Sequence, residues 1–261
     1  MVTFERVNGF APPVLNPGGI SILGTTQTVE LERTWPIEEI IVNVFGTVGG
    51  TALTLVASPQ TPEQVNNIAG ILKRVRLSIN DGVQPRNIVD YSGFGLLEHV
   101  SQSGYNLDRS TWEVIRRAGM ATITSAPTFP ASANFRLSYR VPLVHPLISS
   151  PLRERCMLPC HRFPQNPLLS LDFASASEMY SAGALSFAGA EIVLMRRTIN
   201  SAIDAAIEKS GGYLASDLIE VPYTIGAGVS GEQRFEVQRP GSYLNLLLRQ
   251  YKGGEIGRAH V

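Results

Sequence analysis

Cysteine is scarce. The 261 residues hold 2, Cys156 and Cys160, so close together in a proline-rich segment that they form no disulfide framework. They suit a reducing compartment. Histidine is also sparse, with 4 in the chain: His99, His145, His161 and His260. No His-x-His or His-Glu-x-x-His occurs, so the ligand spacings of cupin-type and zinc-protease metal centres are missing. Phosphate-loop and nucleophile-elbow motifs are absent as well. No window approaches the roughly 20 consecutive apolar residues that cross a bilayer. The N-terminus has no basic segment followed by an apolar run, so neither secretion nor membrane insertion is expected. Charged residues make up only 17%, and 22 basic residues cancel 22 acidic ones. The chain therefore lacks the positive field that concentrates nucleic acid, and direct nucleic-acid binding is not expected.

What is present is β-sheet chemistry. Gly (24) and Pro (17) punctuate runs rich in Val, Ile, Thr and Tyr, and 44% hydrophobic residues suffice for a sizeable core. Ile20–Leu23 opens the first predicted strand, continued or paired by Val29 and Leu31. Ile40, Val42 and Val44 face one way and Ile37, Ile41 and Phe45 the other, which predicts a central strand covered on both faces. Val75, Leu77 and Ile79 alternate with Arg74, Arg76 and Ser78. Phe135, Leu137, Tyr139 and Val141 alternate with Arg136, Ser138 and Arg140. Both read as antiparallel strands wet on one side. Ile219 to Ile225, Phe235 to Val237 and Tyr243 to Tyr251 predict three more. Helical spacing is found over Arg86 to Ser103, weakened by Gly93 and Gly95, and over Thr198 to Lys209, where Gly211-Gly212 supplies a left-handed stop.

The same order occurs twice. An aromatic-proline entry, an apolar strand, a glycine-containing loop, a second strand and a helix run from Thr34–Gly46 through Arg74–Asn80, and again from Arg162–Ala174 through Glu191–Arg196. The expected organisation is a first β domain over 1–143, a proline-rich connector over 144–158 and a second β domain over 159–254. The second lacks a counterpart of the strand from Asn134 to Val141. The tail Glu255-Ile-Gly-Arg-Ala-His-Val261 resembles the translation of a sequencing-library adapter. Residues 255–261 are accordingly expected to be non-native and the second domain truncated.

Candidate chemistry is thin. Cys156-x-x-x-Cys160-His161 is the one ligand-like cluster, and it lacks a fourth partner in sequence. Gly93-Phe-Gly95-Leu-Leu-Glu98 has no third glycine and no surrounding βαβ unit, so a helix packed on a sheet is expected there instead of a dinucleotide loop. Asp81, Asp90, Asp172, Glu191 and Asp217 are scattered singly, and strand-end solvation is their expected role. Arg116-Arg117 and Arg196-Arg197 are read as solvated edge residues that guard against unplanned strand pairing. Trp35, Trp112 and Tyr251, if exposed, mark subunit contact. No catalytic, cofactor-binding or metal site is expected, nor any cofactor.

Two tandem β domains, each with a helix among strands, resemble the double jelly-roll major capsid proteins of tailless icosahedral bacteriophages with an internal membrane, corticovirus-like and tectivirus-like. The residues carrying the likeness are Leu31–Phe45, Leu72–Asn80, Arg162–Phe173, Glu191–Arg197 and Arg239–Tyr251. The resemblance implies an all-β fold of two antiparallel jelly rolls with one short helix inserted in each. It also implies a homotrimer with six similar lobes, tiling of an icosahedral shell, and location in the virion after synthesis in the host cytoplasm. Partners would be other copies of the chain, neighbouring capsomers, and minor capsid or internal-membrane proteins. Two other readings compete: a β-sandwich glycan-binding, spike or fibre module, and a glycan-active hydrolase needing two carboxylates across a cleft.

Overall fold

A computed structural model describes residues 2–7, 22–55, 68–80, 82, 84–102, 128–145, 148, 152–221, 249–252 and 255–258. Its strands are β1 (Val2–Val7), β2 (Thr26–Glu30), β3 (Ile37–Val48), β4 (Leu53–Leu55), β5 (Leu72–Asn80), β6 (Pro85–Ser92), β7 (Thr128–Phe129), β8 (Asn134–Pro142), β9 (Leu168–Phe173), β10 (Tyr180–Ala182), β11 (Leu185–Arg197), β12 (Leu218–Ile219), β13 (Arg249–Lys252) and β14 (Glu255–Arg258). The α-helices are α1 (Gly93–Gln102), α2 (Leu152–Arg155), α3 (Ala176–Met179) and α4 (Ser201–Lys209).

Two sheets face each other. One has the order β1-β11-β3-β8 and the other β12-β6-β5-β9-β2, antiparallel throughout except where β12 runs parallel to β6. A third, short sheet has the order β10-β4-β7, and β13 pairs with β14. Setting β12 aside, the eight strands of the two main sheets, counted along the chain, lie in the orders 1-8-3-6 and 2-7-4-5. That interleaving, with both Greek keys closed, is the wiring of a jelly roll.

The expected boundary at 144–158 does not separate the sheets. β3 pairs with β11 over eleven positions and β5 pairs with β9, so each strand of the first phrase lies beside one of the second. One jelly roll thus runs from β1 to Arg197. The physical reason is that the two phrases are alike in environment: β3 and β11 are both central, two-faced strands of one sheet, and β5 and β9 are both one-side-wet strands of the other. Similar burial selects similar patterns. The first expected helix is also shorter than its spacing suggests. Residues 85–92 are strand, because Val89 and Tyr91 pair with Leu77 and Val75, and the helix starts only at Gly93.

Alternation builds the core. Ile40, Val42 and Val44 of β3, Ile192 and Leu194 of β11, and Leu137, Tyr139 and Val141 of β8 point at Val75 and Leu77 of β5 and Leu169 and Leu171 of β9, all buried. Each fully buried aliphatic side chain contributes about 1.5–3 kcal/mol relative to exposure. The Tyr139 hydroxyl donates to the Ala69 carbonyl at 2.7 Å, satisfying the only polar atom that ring brings inside. Gly93 lets α1 sit directly on β5: a Cβ there would overlap the Leu72 carbonyl oxygen. A second, smaller apolar cluster of Val144, Cys156, Met157, Ile199 and Ile207 holds α4 beside α2.

Residues 222–248, where most of the last three expected strands fall, lie outside the described residues. Helix α4 ends as its sequence predicts, with φ of +104° at Gly211 and +80° at Gly212, and the Gly212 amide donating to the Ile207 carbonyl at 3.0 Å. Its start is fixed by Asn200, whose side chain accepts from the Ile203 amide at 2.8 Å.

Candidate functional site

The cysteine-histidine cluster is divided between two environments. Cys160 is fully buried, and burial pushes its thiol up to about 12, so it stays protonated and inert near neutrality. Cys156 is buried in the smaller cluster and its thiol is also raised, first by burial. His161 turns instead toward Asp204, with Nε2 3.3 Å from Oδ1. Among the described residues no group of three or more His, Cys, Asp or Glu side chains is placed to hold a metal ion.

Asp204 on α4 is the centre of a polar knot. Arg162 donates to one carboxylate oxygen at 2.6 Å, and the Tyr213 hydroxyl donates to the other at 2.8 Å. Arg162 also reaches Glu208 at 2.7 Å, and its guanidinium lies 5.6 Å from the Tyr213 ring centroid. Burial alone would push the Asp204 carboxyl up. The hydrogen bonds from Arg162, Tyr213 and His161 outweigh it and leave the group below the ordinary carboxylate range. The knot fastens α4 to the turn at Cys160–Arg162.

The scattered carboxylates do not converge on a cleft. Asp90 accepts from Arg74 at 2.5 Å and lies 3.5 Å from Arg76, which bonds Asp172 at 2.8 Å. Asp217 pairs with Arg86 at 2.9 Å, and Glu191 with Arg136 at 2.9 Å on the other sheet. Every one of these acids faces a guanidinium. Asp81 lies outside the described residues, as do Arg116, Arg117 and Trp112. Trp35 is 40% exposed.

Arg196 corrects the expectation of a solvated edge. It is 1% exposed and donates to the Trp35 and Glu32 carbonyls at 2.7 and 2.8 Å, closing one end of the sandwich with a buried cation. Arg197, its neighbour, points outward to Glu154 at 3.3 Å and Glu38 at 3.6 Å. Strand alternation sends the two arginines to opposite faces.

The outer faces of the two sheets differ. On the sheet containing β5, the outward residues include Arg74, Arg76, Ser78, Asp90, Ser170, Asp172, Thr26 and Thr28, a ladder of ion pairs and hydroxyls, with the exposed Leu168 at the end of β9. On the sheet containing β3, registers place Ile41 beside Val193, Phe45 beside Gly189 and Glu39 beside Met195. The Phe45 and Phe187 rings meet there at 5.8 Å. Between these apolar groups Asn43 donates to Glu191 at 3.0 Å and accepts from Ser138 at 2.7 Å.

No protein-family model matches the chain, and no curated protein matches it in sequence. Solved structures do match. The fold is similar to the STIV MCP at 18% identity and a TM-score of 0.48, over 81% of this chain and 52% of that one. It is similar to a chain of Sulfolobus Turreted Icosahedral Virus at 18% identity and a TM-score of 0.48, over 81% and 48%. It is also similar to the major capsid protein P2 from Bacteriophage PM2 at 14% identity and a TM-score of 0.42, over 77% and 52%. The chain spans about half the length of these structures.

Sequence reasoning missed both the Asp204 knot and the contrast between the faces. The first carries no local signal, since Arg162 and Asp204 are distant in the chain. The second was visible in part: β3 places Ile41 and Phe45 opposite its core residues, where β5 places Arg74 and Arg76.

Proposed function

We propose that the protein is a viral structural protein, the major capsid protein of an icosahedral virion, and not an enzyme. The observation that carries this reading is the wiring of the roll, 1-8-3-6 against 2-7-4-5, in a chain whose sequence resembles double jelly-roll coat proteins. The roll from β1 to Arg197 is one unit of that architecture. Its extent replaces a boundary at the proline-rich connector. Among the described candidates, Asp90, Asp172, Asp217 and Glu191 are each held by an arginine, which favours a structural role.

Three subunits with two rolls each give a six-lobed tile, and such tiles pack into a closed shell. Its partners are further copies of itself, neighbouring capsomers, and minor capsid or internal-membrane proteins. The segment around β12 is tied firmly to the roll: the Glu220 amide donates to the Asp90 carbonyl at 2.8 Å, and the Glu220 carboxylate accepts from the Ser92 amide at 2.7 Å. A tile needs such fixed geometry.

Sedimentation of the intact protein tests this reading. The expected species is a trimer, with six-lobed outlines in negative-stain images. A single chain at every concentration, with no ordered arrays, overturns it.

A further inference from the structure

We infer that the groove at the ends of β2, β9, β5 and β6 is a saccharide-binding site, which takes a neutral oligosaccharide by its hydroxyl groups. The inference goes beyond the coat-protein reading and does not depend on it.

The groove has a volume of about 460 Å³, inside the range of about 300–1,000 Å³ that small-molecule sites occupy. Four strand ends build it. Glu30 closes β2, Asn80 closes β5, Pro85 opens β6 and Leu168 opens β9. The segment 163–167 joins β5 to β2 through side chains. The Asn80 amide donates to Gln165 Oε1 at 3.2 Å, the Asn166 amide donates to Glu30 Oε2 at 3.2 Å, and Arg33 Nη1 donates to the Phe163 carbonyl at 2.5 Å. Pro164 and Pro167 fix the backbone on either side of Gln165-Asn166. The polar groups are therefore held in place before a ligand arrives, which lowers the cost of binding one.

What these groups leave unused selects the ligand. Among the described residues, Gln165 Nε2, Asn166 Oδ1, Glu30 Oε1 and the Nε and Nη2 of Arg33 have no hydrogen-bond partner. Glu30 and Arg33 line one groove without pairing, whereas elsewhere on the same sheet Arg76 meets Asp172 and Arg86 meets Asp217. The groove thus offers an acceptor-only carboxylate, a donor-only guanidinium and carboxamides that do both. Hydroxyl groups donate and accept, so a polyol matches the whole set. An anion attracted by Arg33 is opposed by Glu30, and a cation attracted by Glu30 is opposed by Arg33. Pro85 and Leu168, the latter 40% exposed, supply apolar surface for the C–H face of a sugar ring.

The experiment uses the intact chain in whatever assembly it adopts. It is applied to an array of neutral glycans alongside sulfated and sialylated ones, with inorganic phosphate as a competitor. Binding to a neutral glycan is expected, reversed by the same oligosaccharide free in solution and not by phosphate. Asn166→Ala and Arg33→Ala, both at exposed positions, should each weaken it at least fivefold. Gly50→Ala, beyond the far end of β3, should bind as the parent does. Amide hydrogen exchange of the parent protein at saturating glycan should slow over 163–166, a measurement that stands even where a variant fails to fold. An array with no glycan bound, binding confined to sulfated or sialylated glycans, or exchange slowed only at other segments each overturns the inference. None of these outcomes bears on the coat-protein reading, which sedimentation decides.

Discussion

Arg162 and Asp204 are 42 residues apart in the chain and 2.6 Å apart in space. Their contact fastens the helix beyond the roll to the turn that precedes β9. Protonating that carboxylate removes the charge Arg162 needs. Because the folded group titrates below its unfolded value of about 3.9, its contribution is fully present above that pH and is lost as pH falls through the lower, folded value. Asp204→Asn should cost about 1 kcal/mol, since the site is partly open to solvent. Amide hydrogen exchange is expected to rise over 201–209 and to stay unchanged in β3 and β5.

His99 gives a second pH dependence, of opposite origin. Burial, then the nearby His145, lowers it to about 4 from an ordinary 6.5, and the two rings lie 6.0 Å apart. Between those values the unfolded chain binds a proton the folded one refuses, so stability falls as pH drops from about 6.5 to about 4. The slope has an upper limit near 1.4 kcal/mol per pH unit for one proton. Urea midpoints at pH 7, 6 and 5 should show it, and His99→Phe should flatten the profile.

Tyr139→Phe keeps the ring and deletes one hydroxyl. The Ala69 carbonyl then loses this hydrogen bond inside the core, at a cost of about 1 kcal/mol. Chemical denaturation should reveal a lower midpoint with an unchanged slope.

Gly93→Ala adds one methyl group where none fits. The new carbon would overlap the Leu72 carbonyl oxygen, a backbone atom fixed within β5, so α1 must move off the sheet. The expected loss is about 1–3 kcal/mol. It should exceed that of an alanine at Gly50, where a Cβ would meet nothing within 4 Å.

The strands were legible wherever one face is wet. Val75, Leu77 and Ile79, and Phe135 through Val141, alternate in the sequence and do so in the structure, because period two leaves an unambiguous mark when only one side is buried. The helix stop at Gly211-Gly212 was equally plain, since left-handed backbone there demands glycine. Pairing was not legible. Nothing in Glu191–Arg196 announces that its neighbour is Ile37–Val48, because two-faced apolar strands look alike whichever sheet receives them. The buried role of Arg196 was hidden for a related reason: whether an arginine at a strand end meets water or two carbonyls depends on the loop at Glu32–Trp35, which sequence spacing does not bring near.

The interleaved wiring bears on how the chain is made. β1 leaves the ribosome long before β11, yet the two are partners, and the register joins Val2 to Arg197. Until the last of these residues is synthesised, β3 has an uncovered flank and β1 has nothing to bind. Such long-range closure is slow, and the waiting strand edges invite pairing with other nascent chains. A polypeptide released before β11 would carry most of this sequence yet lack the strand that joins β1 to β3.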